Sequence, residues 1–394
     1  MAMRIAVRAE RLFDGSRMLA DPVLVLDGTR IAGVDYDFPP PPDALVVDLP
    51  GATLLPGLID THLHLAFDAS PDPVAALATR DDDAALRAMG VAARRALRAG
   101  VTTVRDLGDR GYLALTMRDR PGHLPTILAS GPPITVPGGH CHYLGGAVAP
   151  GGIRAAVREH AERGVDVIKI MASGGTYTPG TRQEDPQFEP GEIRAAVEEA
   201  HQHGLPVTVH AHATKSIVDA VDAGVDGIEH VSFWSADGVD VPPPELIRRI
   251  ARQRIVVGAT MGIRPVPGVQ PPAKVARRLP LIHANLHRLV KADARLVAGS
   301  DGGLSPLKPH DVLPRALPLL VRIGYRPAQA LRVLTEVAAE ACGLAGRKGR
   351  LARGFDADVL AVDGDPIEDP AALCRVRAVF AMGSRIAAGV PPPG

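Results

Sequence analysis

The feature of this sequence that most limits its fold is a junction repeated between about residues 54 and 343. At each junction a helical segment ends at glycine and a short β-branched run follows, as in ARRALRAG-VTTVRD, REHAERG-VDVIKI, EEAHQHG-LPVTVH and VDAVDAG-VDGIEH. A glycine in the left-handed conformation ends a helix and directs the chain into a buried parallel strand. Within one such helix, Ile193, Ala196, Val197 and Ala200 form an apolar stripe with helical spacing. The pattern predicts parallel strands that alternate with helices.

Eight strand segments of this kind can be counted. They begin near residues 54, 101, 126, 167, 206, 227, 255 and 295. Eight strand-helix repeats are what a (β/α)8 TIM barrel requires. The alternative is an open doubly wound sheet, but no GxGxxG follows the first strand and the chemically active residues are spread over many strands. We therefore expect an α/β protein with a (β/α)8 barrel.

The two ends of the chain share a different pattern. Residues 1–53 contain short alternating stretches separated by DG turns and a proline run, and residues 346–394 return to hairpin-like strands with DG and GS turns. We expect these two segments to form one small β-sandwich-like domain beside a hydrolase barrel at residues 54–345.

Composition and charge narrow the class of function. Lys and Arg number 44 and Asp and Glu number 44, so no net field exists to attract nucleic acid or an anionic membrane. The three cysteines show no CxxC pair, which argues against a disulfide scaffold. No apolar run approaches the roughly 18–20 residues that cross a bilayer, and no signal peptide is recognisable. These observations favour a cytoplasmic protein with a small-molecule substrate, and they leave open whether it forms a homo-oligomer.

Histidine and aspartate recur where predicted strands end. Segment one, LLPGLIDTHLHL, carries His62 and His64 two residues apart and so on one face of a strand. The remaining members of the set are His210 and His212 in PVTVHAH, His230 in GIEHV and Asp301 in LVAGSDGG. Barrel enzymes collect catalytic groups at the C-terminal ends of their strands, and imidazole with carboxylate suits zinc or a similar divalent ion. The joint pattern predicts a metal site.

Lys169 interrupts the apolar strand VDVIKIMAS, where an unpaired ammonium would be costly. Such a lysine could pair with Asp106 or Asp301. A buried lysine also loses its proton readily, and the neutral amine can add carbon dioxide to become a carbamate, a carboxylate able to bridge two metals. We expect the carbamate.

These motifs together resemble the amidohydrolase superfamily. The resemblance runs from TLLPGLIDTHLH through GVTTVRD, DVIKIMASGG, VTVHAHA, GIEHV and AGSDGG to RLARGFDADVLAVDGDP. DVIKIMASGG followed by QFEPGEIRAAVEEAHQHGLPVTVHAHA is similar to the branch that contains Xaa-Pro and Xaa-Arg dipeptidases and ochratoxin-hydrolysing amidases. The resemblance implies two divalent metals, with zinc as first choice and manganese, cobalt or iron as alternatives. It also implies which residues hold each metal: His62, His64 and Asp301 the first, His210 and His230 the second, and carboxylated Lys169 both.

The same branch has a Gly-Gly-His motif after strand three, matched here by Gly138, Gly139 and His140. The resemblance implies that His140 contacts the scissile carbonyl oxygen. Asp301, bound to one metal and within reach of the bridging water, is expected to act as the catalytic base. Four further residues are candidate substrate contacts: His142, Tyr143, Tyr177 and His212. The segment around Tyr177, GGTYTPGTRQEDPQF, departs from the wording typical of the dipeptidases, which puts a dipeptide substrate in doubt.

We therefore predict a binuclear metal-dependent hydrolase that cleaves a peptide-like amide bond of a small molecule, as a dipeptidase or an N-acyl amino acid amidase does. One alternative is a hydrolytic deaminase, but deaminases of the superfamily carry HxxE on strand five where this chain reads HAHATK. A lactone or cyclic amide hydrolase is another alternative, and a barrel without chemistry is a third.

Overall fold

The computed structural model describes residues 4–36 and 39–387 of the 394-residue chain. Residues 1–3, 37–38 and 388–394, which include the outer ends of the predicted small β domain, lie outside the described part. The described chain begins with five strands: β1 (Ile5–Phe13), β2 (Met18–Ala20), β3 (Pro22–Asp27), β4 (Arg30–Tyr36) and β5 (Leu45–Pro56).

Eight parallel strands follow, together with a short two-residue strand that pairs with one of them. They are β6 (Leu58–Leu63), β7 (Val101–Asp106), β8 (Thr126–Ala129), β9 (Ile168–Met171), β10 (Val207–Ala213), β11 (Gly227–Ser235), β12 (Gly238–Val239, the short strand), β13 (Val256–Thr260) and β14 (Leu296–Gly299). The last three strands are β15 (Val359–Asp363), β16 (Val376–Ala381) and β17 (Ser384–Ile386).

Helices separate the parallel strands. They are α1 (Pro73–Ala78), α2 (Asp82–Arg98), α3 (Leu113–Arg118), α4 (Ile153–Arg163), α5 (Pro190–Gln202), α6 (Thr214–Ala223), α7 (Pro244–Arg252), α8 (Ala273–Lys291), α9 (Ala316–Arg322), α10 (Pro327–Val333) and α11 (Glu336–Ala341). Short 3-10 helices lie at His142–Leu144, Leu313–Arg315 and Pro370–Cys374.

The glycine junctions behave as the sequence predicts. Gly100, Gly164, Gly204 and Gly224 follow α2, α4, α5 and α6, and all four have a positive φ between 70° and 86°. The predicted stripe of α5 is buried along its whole length. Both predictions are confirmed, and they explain how each helix returns the chain to the start of a new parallel strand.

The parallel strands form two sheets, β6-β7-β8 and β9-β10-β11-β13-β14. At one border an isolated parallel bridge joins Ile134, just after β8, to Ile170 of β9. At the other border Leu63 of β6 bridges Gly302, and the Asp301 amide donates to the His62 carbonyl oxygen at 2.8 Å. Backbone hydrogen bonds at both borders thus hold the carboxyl ends of all eight strands on one side of the molecule.

Strands from both chain ends form one further sheet, in the order β17-β16-β15-β5-β1-β3-β4, with β2 paired to β1. This sheet encloses an apolar cluster of its own, which includes Leu12, Leu24, Leu54 and Phe380. Residues 54–56 belong to β5 of this sheet, so the first strand of the barrel begins at Leu58 and not near 54. Gly57 lies between the two strands, and only glycine fits there because a Cβ would lie 2.1 Å from the Thr102 hydroxyl oxygen.

Among the described residues, we find no helix with the length and apolar character needed to cross a membrane.

Candidate metal centre

Three of the predicted ligands meet where β6 and β14 end. His62 lies on β6, His64 follows it directly, and Asp301 comes two residues after β14. The Nε2 atoms of His62 and His64 lie 3.6 and 3.5 Å from Asp301 Oδ1. Ligand atoms of the three side chains all lie within 4.8 Å of one another, which is close enough for one metal ion.

A second group lies at the ends of β10 and β11. Ligand atoms of His210, His212 and His230 also fall within 4.8 Å of one another. The rings of His212 and His230 stack at a centroid distance of 4.4 Å, and the ring of His62 lies 5.2 Å from that of His230. The two groups are therefore neighbours. The sequence predicted His212 as a substrate contact, but the structure also brings it within ligand distance of His210 and His230.

Each of these imidazoles has one ring nitrogen within hydrogen-bond distance of a group outside the two clusters. The paired nitrogens are His62 Nδ1 with Glu229 Oε2 (3.0 Å), His64 Nδ1 with the Gly108 carbonyl (3.1 Å), His210 Nε2 with the Gly174 carbonyl (3.1 Å), His212 Nδ1 with Ser232 Oγ (2.7 Å) and His230 Nδ1 with Thr260 Oγ1 (3.2 Å). Metal-binding histidines are held in this way by outer partners, which fix the tautomer and the orientation of the ring.

Glu229 is a candidate functional residue that the sequence analysis missed. Its carboxylate is 1% exposed and accepts hydrogen bonds from His62, from Arg105 Nη2 at 3.1 Å and from Thr208 Oγ1 at 2.8 Å. Burial raises the pKa of Glu229, but His62, Arg105 and Lys169 outweigh burial and lower the pKa to about 2. An acid inside the apolar strand GIEHV is the same kind of signal that drew attention to Lys169.

Lys169 lies on β9 and is 1% exposed. Its Nζ has no hydrogen-bond partner among the described residues, so the pairing with Asp106 or Asp301 that the sequence left open is not made. Burial lowers the pKa of Lys169 to about 8. Its charge influences the pKa of His62 in one group and those of His210 and His230 in the other. A buried amine of this kind, next to both groups, fits a carboxylated lysine.

Burial also sets the protonation of the other site residues. It lowers the pKa values of His62 and His212 to about 4 and that of His140 to about 3. For Asp301 burial raises the pKa, but the hydrogen bond from His64 and the neighbouring His62 and Lys308 side chains outweigh burial and lower it. Neutral imidazoles and an ionised carboxylate are the forms that bind metal.

His140 lies in the loop after β8 and is 6% exposed. Its Nδ1 is hydrogen-bonded to Thr178 Oγ1 at 2.9 Å, and its backbone amide donates to the Gln187 side chain. A Cβ at Gly175 would lie 2.2 Å from His140 Nε2, so only glycine allows this approach. The ring of His140 lies 4.8 Å from that of His210. His140 is thus fixed beside the second histidine group with Nε2 not bound to Thr178.

Backbone strain accompanies two of the candidate ligands. His230 and Asp301 have positive φ angles of 72° and 55°. This conformation costs a non-glycine residue on the order of 1–3 kcal/mol, and such strain is concentrated at functional sites.

The candidate ligands and His140 line one cavity of about 620 Å³, whereas Glu229 lies behind His62 and is not part of the lining. Tyr143 and Tyr177 line it as well, and burial raises the pKa of Tyr177 to about 12. His142, which the sequence offered as a substrate contact, is exposed and does not line the cavity. Its Nδ1 donates to the Gly139 carbonyl oxygen at 2.9 Å instead. Trp234 and several apolar residues of α8 complete the wall, and none of these was singled out from the sequence.

Parallel strands with a histidine- and carboxylate-lined cavity at their carboxyl ends define the class of barrel hydrolases with candidate divalent-metal sites. The amidohydrolase family model matches residues 53–386, so the chain belongs to the amidohydrolase family and has its TIM-barrel fold. The resemblance inferred from the motifs is thereby confirmed.

Similar proteins include ochratoxinase from Aspergillus niger, 28% identical over 350 residues that cover 80% of this chain and 71% of that protein. Its crystal structure superposes with a TM-score of 0.80 at 25% identity, covering 97% of this chain and 95% of the other. A Xaa-Pro dipeptidase with methionine bound in its active site gives a TM-score of 0.84 at 25% identity, with 97% and 99% coverage. Imidazolonepropionase from Rubrobacter xylanophilus is 26% identical over 386 residues, covering 86% and 84%.

Proposed function

We propose that this member of the amidohydrolase family is a binuclear metal-dependent hydrolase that cleaves a peptide-like amide bond of a small molecule. The observation that carries the proposal is Lys169, a buried amine without a hydrogen-bond partner in the described chain, beside two groups of potential metal ligands. A deaminase that holds a single metal does not need a lysine that bridges two metals.

His62, His64 and Asp301 would hold one divalent ion, and His210 and His230 the other. Lys169, as a carbamate, would contribute an oxygen to each. His212 lies close enough to join the second group, but its Nδ1 bond to Ser232 also suits a residue that contacts substrate. Four imidazoles and a carboxylate from strand ends favour zinc, while manganese, cobalt and iron accept the same donors.

The carbamate would form from the neutral amine of Lys169 and carbon dioxide. The nitrogen lone pair forms an N–C bond to carbon dioxide, and one amine proton leaves to solvent, so the product is an anionic carboxylate. The lowered pKa of Lys169, about 8, supports this reaction because a useful fraction of the amine is neutral near pH 7.

Bound divalent ions would supply a water of lowered pKa and a polarised substrate carbonyl. Asp301 would take the proton of the water that attacks the carbonyl carbon, and would then deliver it to the nitrogen as the C–N bond breaks. His140 would donate from Nε2 to the carbonyl oxygen as negative charge develops there. The Thr178 hydrogen bond holds the ring in position for this role.

The substrate class follows from the cavity and from the relatives. The cavity wall combines the polar groups above with Phe67, Met261, Leu279 and Ile282. Such a wall suits an amide with an apolar substituent. Ochratoxinase and a Xaa-Pro dipeptidase with bound methionine are similar proteins. We therefore propose an amide that joins an acyl group to an amino acid or a related amine.

The test is metal analysis combined with a hydrolysis screen. Protein loaded with zinc or manganese should contain close to two equivalents and should hydrolyse members of a panel of N-acyl amino acids and dipeptides, whereas chelated protein should not. Full activity with one equivalent would refute the binuclear assignment. Turnover of lactones or amino-substituted rings, with every amide inert, would refute amide hydrolysis.

A further inference from the structure

Trp234 is the single tryptophan of the chain and lies where β11 continues beyond His230. There β11 turns into a small antiparallel hairpin in which Trp234 pairs with Val239 of β12. Val231 and Phe233 have positive φ angles of 46° and 53°. The strand is therefore sharply redirected between the candidate ligand His230 and Trp234, and this redirection places the indole in the cavity wall.

The indole N–H of Trp234 lacks a partner in the described part of the chain. The residue is 2% exposed and lines the cavity, and its Nε1 has no hydrogen bond to any described residue. Buried donors are almost always satisfied, because an unmade hydrogen bond is unfavourable. The ring centroid lies 5.9 Å from that of His212, so the indole lies in the same part of the cavity wall as the second histidine group.

The ring itself is held firmly. Arg278 Cζ lies 4.5 Å and Lys274 Nζ 5.1 Å from the ring centroid, within the range of cation–π attraction. Arg278 also donates to the Gly238 carbonyl of the hairpin at 3.1 Å, and Lys274 pairs with Glu184 at 3.0 Å. An indole fixed in this way presents its N–H without loss of side-chain freedom when a ligand binds.

The charges in the cavity indicate which acceptor this donor would meet. Lys308, Arg315 and Arg322 line the cavity, whereas Asp301 is the single acid among the described lining residues. A negatively charged oxygen is favoured in such surroundings, and a hydrogen bond to it is stronger than one to a neutral oxygen.

We propose that Trp234 is a specificity-determining residue whose indole N–H donates a hydrogen bond to a carboxylate oxygen of the substrate. The proposal rests on the amide hydrolysis proposed above for the identity of the substrate, but the binding event can be measured without any turnover.

The probe is N-benzenesulfonyl-L-phenylalanine, whose sulfonamide resists hydrolysis, and its neutral partner is N-benzenesulfonyl-phenethylamine, which lacks the carboxylate. Calorimetric affinities are measured for both ligands with zinc-loaded wild-type, Trp234→Phe and Arg278→Met proteins. In Trp234→Phe the affinity for the carboxylate ligand should fall about 10- to 100-fold, the usual worth of a hydrogen bond to a charged group. The affinity for the neutral ligand should stay within about threefold.

Arg278→Met is the matched control, because it removes the cation above the ring and retains the N–H. This variant should keep the preference for the carboxylate ligand. In wild-type protein, binding of the carboxylate ligand should also change the fluorescence emission of the single tryptophan. Equal losses for both ligands in Trp234→Phe, or no loss for either, would overturn the proposal. So would a loss of preference in Arg278→Met as large as that in Trp234→Phe. Failure of the hydrolysis screen would count against amide hydrolysis alone.

Discussion

The pKa of Lys169 sets how the rate of metal-site assembly depends on pH. Only the neutral amine adds carbon dioxide, and burial lowers the pKa of this lysine to about 8. With that pKa, about 9% of the amine is neutral at pH 7 and about 91% at pH 9, a rise of about tenfold. An ordinary lysine with a pKa of about 10.4 would give roughly 0.04% and 4%, a rise of about a hundredfold.

The assay follows recovery of metal-free protein after addition of zinc, with dissolved carbon dioxide held constant at every pH. The initial rate of metal uptake should rise about tenfold per pH unit below about pH 7, rise more slowly through pH 8 and level off near pH 9, and it should increase with carbon dioxide. Lys169→Arg serves as the control, since arginine stays charged and cannot form the carbamate. A rate that keeps rising to pH 9.5, or that ignores carbon dioxide, would refute the reasoning.

Three further predictions concern individual side chains. Lys169→Ala should lose at least one metal and most activity, and added formate or acetate should restore part of both by occupying the space that the side chain leaves. If Lys169→Arg kept normal metal content and turnover, the lysine would have a structural role and no carbamate. Glu229→Gln should weaken metal binding by about 10- to 100-fold, because Glu229 orients His62. It should also lower the free energy of unfolding by about 3–5 kcal/mol, because Arg105 stays buried without its ion partner. Metal titration and urea unfolding measure the two effects, and unchanged values in both would contradict the proposed role of Glu229. His140→Ala should lower kcat by about 10²–10³-fold at unchanged metal content, whereas parallel loss of metal and activity would make His140 a ligand.

Local signals in the sequence account for much of the fold. Glycine after a helix is favoured in the left-handed conformation whatever its distant neighbours are, and Gly164 and Gly224 adopt it after α4 and α6. Two residues separated by one position in a strand share a face, so HxH identified His62 and His64 before any contact was known. A lysine in an apolar strand is costly in every fold, and this made Lys169 visible.

The tertiary structure decided what depends on residues far apart in the chain. Glu229 meets His62 across 167 positions, and no local pattern specifies that pair. The division between His142, which is exposed, and Tyr143, which lines the cavity, depends on the turn of one loop. The unused N–H of Trp234 is a property of the folded chain, because whether a buried donor is satisfied depends on all of its neighbours and not on the local sequence.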